Sequence, residues 1–193
     1  MRIINLTQHR ATDTQIQAGV VEWHDEFLGH SEWLAGTEGD PADWETRAPD
    51  DLSWMLTIPP MYDIPPSLED RAADIAGWVD EMAAPAAMIG GHFGLTVALS
   101  EALSEALTRK GVLPLRAVTE RRSVEQAQPD GSVRKVSTFE HIGFVPMLPS
   151  WWQDPQYIAV EVHQKLRGTA VALVQIGITT PAYSEYLERV FGQ

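Results

Sequence analysis

The chain has 193 residues, a net charge of −13 and no cysteine, so disulfides, thiolate catalysis and thiolate metal sites are excluded. The length suits one domain with additions and allows a sizeable core. Residues 22–81 hold 16 Asp/Glu and two Arg, a net −14 that leaves the remainder at +1, while seven of the 14 basic residues lie between Arg109 and Lys135. A long anionic polymer is disfavoured by this balance; a compact phosphate-bearing ligand beside the basic stretch is not.

Arg2 to Leu6 reads as a short strand, followed by a turn at Thr7, Gln8, His9 and Arg10. Thr12 and Gln15 have capping-box spacing for a helix that ends near Gly19. No apolar leader core stands at the N-terminus and no apolar run reaches the length of a membrane span. The expectation is a soluble, cytoplasmic protein with no membrane partner.

Residues 22–62 form an acidic insert with Trp23, Trp33, Trp44 and Trp54. It reads as a lid or interface element whose tryptophans pack on the domain or on a partner. His24 and His30 lack the helical H-E-x-x-H spacing of a metal motif, and no metal or cofactor is expected. Pro59, Pro60, Pro65 and Pro66 close the insert. Ser67 then caps a helix reaching about Ala84, with Leu68, Ala72, Ile75, Val79 and Met82 on one face.

Ala86 to Arg122 organises the rest. A buried apolar run, Ala86 to Ile89, meets the glycines Gly90, Gly91 and Gly94. A helix from near Thr96 carries Val97, Leu99, Leu103 and Leu107 and stops at Lys110 and Gly111. A second strand, Val112 to Val118, leads into Thr119, Glu120, Arg121 and Arg122. Strand, glycine turn, helix and strand make a βαβ unit, whose turn amides and helix N-terminus suit a phosphate. The spacing G-G-H-F-G matches neither a dinucleotide fingerprint nor a P-loop, so a purely structural turn stands beside the phosphate reading. The first strand's loop shares this edge, which brings in Asn5, Thr7 and His9 as candidate ligand contacts.

Beyond Arg122 the pattern predicts a β-ribbon, Ser123 to Ala127 and Ser132 to Phe139, turning at Gln128 to Gly131. It carries Arg122, Arg134, Lys135 and His141. From residue 149 onward the β-branched content predicts a hairpin, Tyr157 to Val162 and Thr169 to Gly177, before a last helix opened by Thr180 and Pro181. The domain reading is therefore 1–148 for a ligand-binding domain and 149–193 for an extension packed on it or on a partner subunit.

The order G-G-H-F-G-L-T, G-V-L-P-L, T-E-R-R-S-V-E, P-D-G-S-V-R-K-V and F-E-H-I-G-F resembles the small CRISPR-associated Rossmann-fold (CARF-like) proteins related to ring nucleases, including homologues in phages and mobile elements. The resemblance covers about 80 residues with the N-terminal unit. It implies a Rossmann-like, mainly parallel sheet and a cyclic oligoadenylate ligand that is bound and, in ring nucleases, cleaved without metal. It also implies a bacterial or infected-cell setting. By position, Gly90, Gly91, Phe93, Gly94 and Thr96 match the ligand loop, Thr119 and Arg121 the strand-end pair, and Asp130, Gly131, Ser132, Lys135, Phe139 and His141 the ribbon. His92 stands where an acidic or small residue is expected, and the insert and extension have no counterpart.

On this reading the glycine-turn amides, Arg121 and Lys135 hold phosphates, Thr96 or Thr119 orients the ribose, Arg122 and Arg134 are further ligand contacts, and His92, His141 and Lys135 are the catalytic candidates for in-line attack by a ribose 2′-OH. A non-catalytic sponge or sensor needs the same loop without the acid and base. An ordinary nucleotide-binding or structural α/β domain needs neither. A cyclic ligand is best gripped across a two-fold axis, so a homodimer or higher homo-oligomer is expected.

Overall fold

The computed structural model describes residues 1–7, 10–23, 68–90, 96–127, 132–154 and 156–191. Five strands form one sheet: β1 (Ile3–Asn5), β2 (Val20–Glu22), β3 (Ala86–Met88), β4 (Leu113–Ala127) and β5 (Val133–Pro146). Their order is β2-β1-β3-β4-β5. The first four run parallel and β5 returns antiparallel on β4. Glu22, Asn5, Met88, Leu115 and Pro146 stand in one row across all five strands, at the carboxyl end of the parallel ladder. This is a mixed, mainly parallel α/β sheet, compatible with a Rossmann-like arrangement.

Parallel strands must be buried on both faces, and helices do that here. On one face Ile4, Leu6, Ala87 and Ile89 meet α2 (Leu68–Glu81) and α3 (Thr96–Arg109). The apolar stripe of α2 lands as its spacing predicts, with Ala72, Ile75 and Val79 buried; so does that of α3, with Leu99, Leu103 and Leu107. Each such leucine or isoleucine contributes roughly 1.5–3 kcal/mol by leaving water. Trp23, the one tryptophan of the insert among the described residues, joins this layer with its ring 5.6 Å from that of Trp78. Helix α3 ends as expected, with Gly111 at φ 71.

On the other face Ile3, Ala86, Met88, Leu113, Leu115 and Phe144 meet the C-terminal segment. There the structure corrects the sequence reading. No hairpin forms among the described residues after 149. Instead, a 3-10 turn (Ser150–Gln153) leads to α4 (Val160–Gln175) and then α5 (Pro181–Phe191), the last as expected. Leu166, Thr169, Ala170 and Leu173 recur at helical spacing and are the residues buried, so the apolar period outweighs the weak β preference of the valines. The remaining helix, α1 (Asp13–Gln17), carries the expected capping box: the Thr12 amide donates to Gln15 Oε1 at 2.8 Å and the Gln15 amide to Thr12 Oγ1 at 3.4 Å. No helix among the described residues is long and apolar enough to cross a membrane.

A second correction concerns β4. It does not stop at Val118 but continues to Ala127, and β5 pairs with it from Val133 to Pro146, so the ribbon and the sheet share one ladder. A bulge lies between Val118 and Thr119, where β5 carries the extra residue Ile142 between Gly143 and His141. The segment Ile178–Thr180 docks on the outer edge of β5 here: the Phe144 amide donates to the Ile178 carbonyl at 2.9 Å, and the Thr180 amide to the Phe144 carbonyl at 3.3 Å.

Gly143 makes that seam possible. Its φ is 143, and a Cβ would stand 2.9 Å from both the Thr179 carbonyl carbon and the Thr180 nitrogen. Gly143→Ala should therefore lower unfolding stability by roughly 1–3 kcal/mol, through a strained backbone and a forced-apart seam. Urea titration checks this, and a midpoint equal to that of the wild type would remove Gly143 from the account.

Candidate ligand-binding crevice

From β1 the chain moves to β2 on one side and then to β3 on the other, so the strand order reverses between β1 and β3. In open α/β sheets the crevice outside the carboxyl ends of the strands at such a switch point is where ligands bind. The segments beside that point here are Asn5 to Thr7 at the end of β1 and Ile89 to Gly90 after β3. A Cβ built on Gly90 would have Thr7 Cγ2 as its nearest neighbour, 3.8 Å away, so the two loops stand side by side. Helix α3 starts six residues beyond Gly90, with its N-terminus toward the same edge.

The floor of the crevice is a side-chain network. Asn5, only 2% exposed, donates from Nδ2 to Glu22 Oε2 at 3.0 Å. Its Oδ1 accepts from the Thr7 amide at 3.0 Å and from Thr7 Oγ1 at 2.7 Å. The other Glu22 oxygen accepts from the Ala11 amide at 2.6 Å. A carboxylate at the end of β2 thus holds both ends of the turn after β1, through Asn5 at one end and Ala11 at the other. Asn5 and Thr7 are placed at the predicted edge, but as residues that shape the loop.

Of the remaining candidates, His9, Gly91, His92, Phe93 and Gly94 lie outside the described residues, as do Asp130 and Gly131. Thr96 opens α3. Thr119 sits beyond the bulge opposite His141. Alternation along the ribbon puts Thr119, Arg121, Lys135 and His141 on one face and Arg122 and Arg134 on the other. Arg121 donates from Nε and Nη2 to Ser137 Oγ at 3.0 and 2.8 Å. Arg122 pairs with Glu140 at 2.8 Å and more loosely with Glu120 at 3.7 Å.

The ribbon also separates these residues along its length. Lys135 is level with Glu125, ten residues past Leu115, or roughly 33 Å at the rise of a strand. Within one chain it does not reach Gly90. Arg121 is nearer: Met88 is level with Leu115, so Gly90 is level with about Ala117, and Arg121 is four residues or roughly 13 Å further on.

His141 is half-buried, its ring 4.6 Å from that of Phe144, and both ring nitrogens are shielded from solvent without a hydrogen-bond partner. Burial lowers its pKa below the ordinary histidine value. The extra residue in the bulge turns His141 onto the face that Phe144 occupies, and it serves as packing there. No group of three His, Asp or Glu side chains among the described residues is arranged to hold a metal ion.

Two residues of this region escape sequence reasoning. Glu22 belongs to β2, a three-residue strand whose only signal is Val20-Val21 after Gly19. Arg71 is 1% exposed in the first turn of α2, at the helix end nearer the carboxyl edge, since α2 leads directly into the start of β3. Its place one residue before Ala72 on the apolar stripe was the available signal: an arginine there cannot face solvent.

The fold is that of an open α/β domain with a topological switch point between β1 and β3. Residues 1–145 match the family model described as "Uncharacterized protein MJ1673 family", and the chain belongs to that family. No curated protein and no solved structure matches the chain. The family match ends inside β5, so α4 and α5 lie beyond it.

Asn5→Ala should cost about 1–3 kcal/mol, because it strips a hydrogen bond from a part-buried carboxylate and frees the turn after β1. Urea unfolding checks this, and an unchanged midpoint would make the network incidental. Stability should also depend on pH through His141. Above about pH 6.5 the imidazole is neutral in both folded and unfolded chains. As pH falls, the unfolded chain takes up the proton first, and stability drops until the folded ring titrates too. The difference between wild type and His141→Phe in melting temperature should therefore change across the acid side of pH 6.5, and a constant difference would refute the burial argument.

Proposed function

We propose that the chain binds a cyclic oligoribonucleotide second messenger of the cyclic oligoadenylate class and withdraws it from antiviral signalling, as a sponge or sensor. The carrying observation is the switch-point crevice, with Thr7 packed beside Gly90 and α3 beginning just beyond. A helix N-terminus at that edge suits a phosphate. Arg121, roughly 13 Å further along β4, suits a ligand with more than one phosphate. The resemblance to CARF-like proteins supplies the ligand class.

Sequestration is put first because it asks nothing beyond the phosphate contacts, and two of the three catalytic candidates stand away from Gly90 within one chain; the third, His92, lies outside the described residues. Lys135 lies far along the ribbon, and His141 is packed on Phe144 with its ring nitrogens covered. An acid or base must come within hydrogen-bond reach of the proton it moves, and neither residue stands beside Gly90.

The test incubates purified protein, with EDTA, against cyclic di-, tri-, tetra- and hexanucleotides, followed by HPLC of the free and heat-released nucleotides. Depletion with intact recovery is the expected result. Linear products would restore the ring-nuclease reading and make His92 the next mutant, whereas no depletion of any compound would sink the proposal. Arg121→Ala should weaken binding by roughly 1.5–3 kcal/mol, typical of a charge-assisted hydrogen bond.

A further inference from the structure

We propose that the free edge of β4 in the ribbon pairs with the same edge of a second copy of this chain, antiparallel and centred on Ser123. The pairing does not depend on the proposed ligand. In the sheet, β3 covers β4 only from Leu113 to Leu115. From Arg116 to Glu125, β4 has no backbone partner on that side among the described residues. Such an edge is a row of unmet N–H and C=O groups, and a two-stranded ribbon is marginal alone in water. The outer edge of β5 is treated differently, since Ile178–Thr180 dock on it at Phe144.

Charge complementarity selects both the occupant and the register. The exposed sequence is Glu120-Arg121-Arg122-Ser123-Val124-Glu125-Gln126. Paired with itself about Ser123, it sets Arg121 opposite the partner's Glu125, and Glu125 opposite the partner's Arg121. Arg122 falls opposite the partner's Val124, so the methylenes of the arginine cover a valine that is 48% exposed in the single chain. Glu120 falls opposite the partner's Gln126, and no like charges meet.

Neighbouring registers lose the charge pairs. Moving the centre to Arg122 sets that arginine opposite itself, and moving it to Val124 sets Arg121 opposite the partner's Ala127 and Arg122 opposite its Gln126; a centre between two residues would set side chains of opposite faces against each other. Opposite charges across a pair contribute to stability, and like charges directly opposite subtract from it. Within its own ribbon Glu125 is level with Lys135, so the paired row alternates in sign: Lys135, Glu125, the partner's Arg121. The contact of Arg121 with Ser137 uses Nε and Nη2 and leaves Nη1 for the partner.

The pairing also bears on the crevice. The second copy's β4 lies on the side of β4 where β3 ends, beyond the carboxyl end of β3. Thr119 is then level with the partner's Ala127, roughly 7 Å past the level of Gly90. Each arm becomes a wall beside the other subunit's crevice.

Light scattering after size exclusion, run without nucleotide, tests the pairing. Wild type is expected as a dimer, and Arg121→Glu or Glu125→Arg should each raise its dissociation constant roughly 30-fold or more, because two charge pairs per dimer become repulsive. The double variant Arg121→Glu/Glu125→Arg should restore the dimer, which a merely misfolded single variant would not predict. The absence of cysteine gives a second readout. Ser123→Cys should form a disulfide-linked dimer on mild oxidation, while Ser137→Cys on β5 should not. A monomeric wild type at high micromolar concentration would overturn the proposal, as would failure of the double variant to rescue or cross-linking through Ser137→Cys instead of Ser123→Cys.

Discussion

The carboxyl edge of the sheet depends on a single carboxylate. Glu22 takes the Asn5 amide on one oxygen and the Ala11 amide on the other, which closes the turn after β1 across the end of β2. The strands concerned are three residues each, too short for backbone pairing alone to fix the loops beyond them. A carboxylate that leaves bulk water needs donors aimed at it, and in return it fixes the loop that supplies them. Thr7 is placed through Asn5, and through Thr7 the loop sits beside Gly90. The crevice is therefore set by side chains on β1 and β2 as much as by the glycine turn after β3.

That division explains which parts were legible in the sequence. The β3–α3–β4 unit could be read because each boundary has its own local signal: a continuous apolar run, a glycine cluster, leucines at helical spacing and a Lys-Gly stop. Helix α2 was equally plain in its stripe. β2 was not, because Val20 and Val21 become a strand only by pairing with Ile3 and Ile4, and that partnership is nonlocal. α4 was misread for a related reason. Val160, Val162, Val171 and Val174 weigh toward strand one by one, whereas the stripe Leu166, Ala170, Leu173 emerges only over about two turns and against a sheet face that needs covering.

The site shows the same pattern. Asn5 and Thr7 were placed at the right edge by topology, but their hydrogen bonds to each other and to Glu22 are not inscribed in residue type. Thr119 and Arg121, matched as the strand-end pair, share a face of β4, whereas Arg122, adjacent in sequence, lies on the other. The sequence places Lys135 and His141 on the ribbon without showing how far along it they stand from the glycine turn. Once β4 continues without a break to Ala127, distance along the strand removes Lys135 from the turn, and the bulge buries His141.

The bulge also explains how one strand belongs to two structures. Up to Ala117, β4 is a sheet strand covered by helices; from Thr119 on it is an exposed arm. A change of that kind needs a firm hinge point, or the arm's leverage would loosen the sheet. Phe144 is fully buried, its backbone is clamped by Ile178 and Thr180, and Gly143 lets those chains approach within van der Waals distance of each other. The C-terminal segment, although it lies beyond the family match, thus braces the base of the arm. An arm with a rigid base and a self-complementary free edge loses little freedom on pairing, because its orientation is fixed before it meets a second copy.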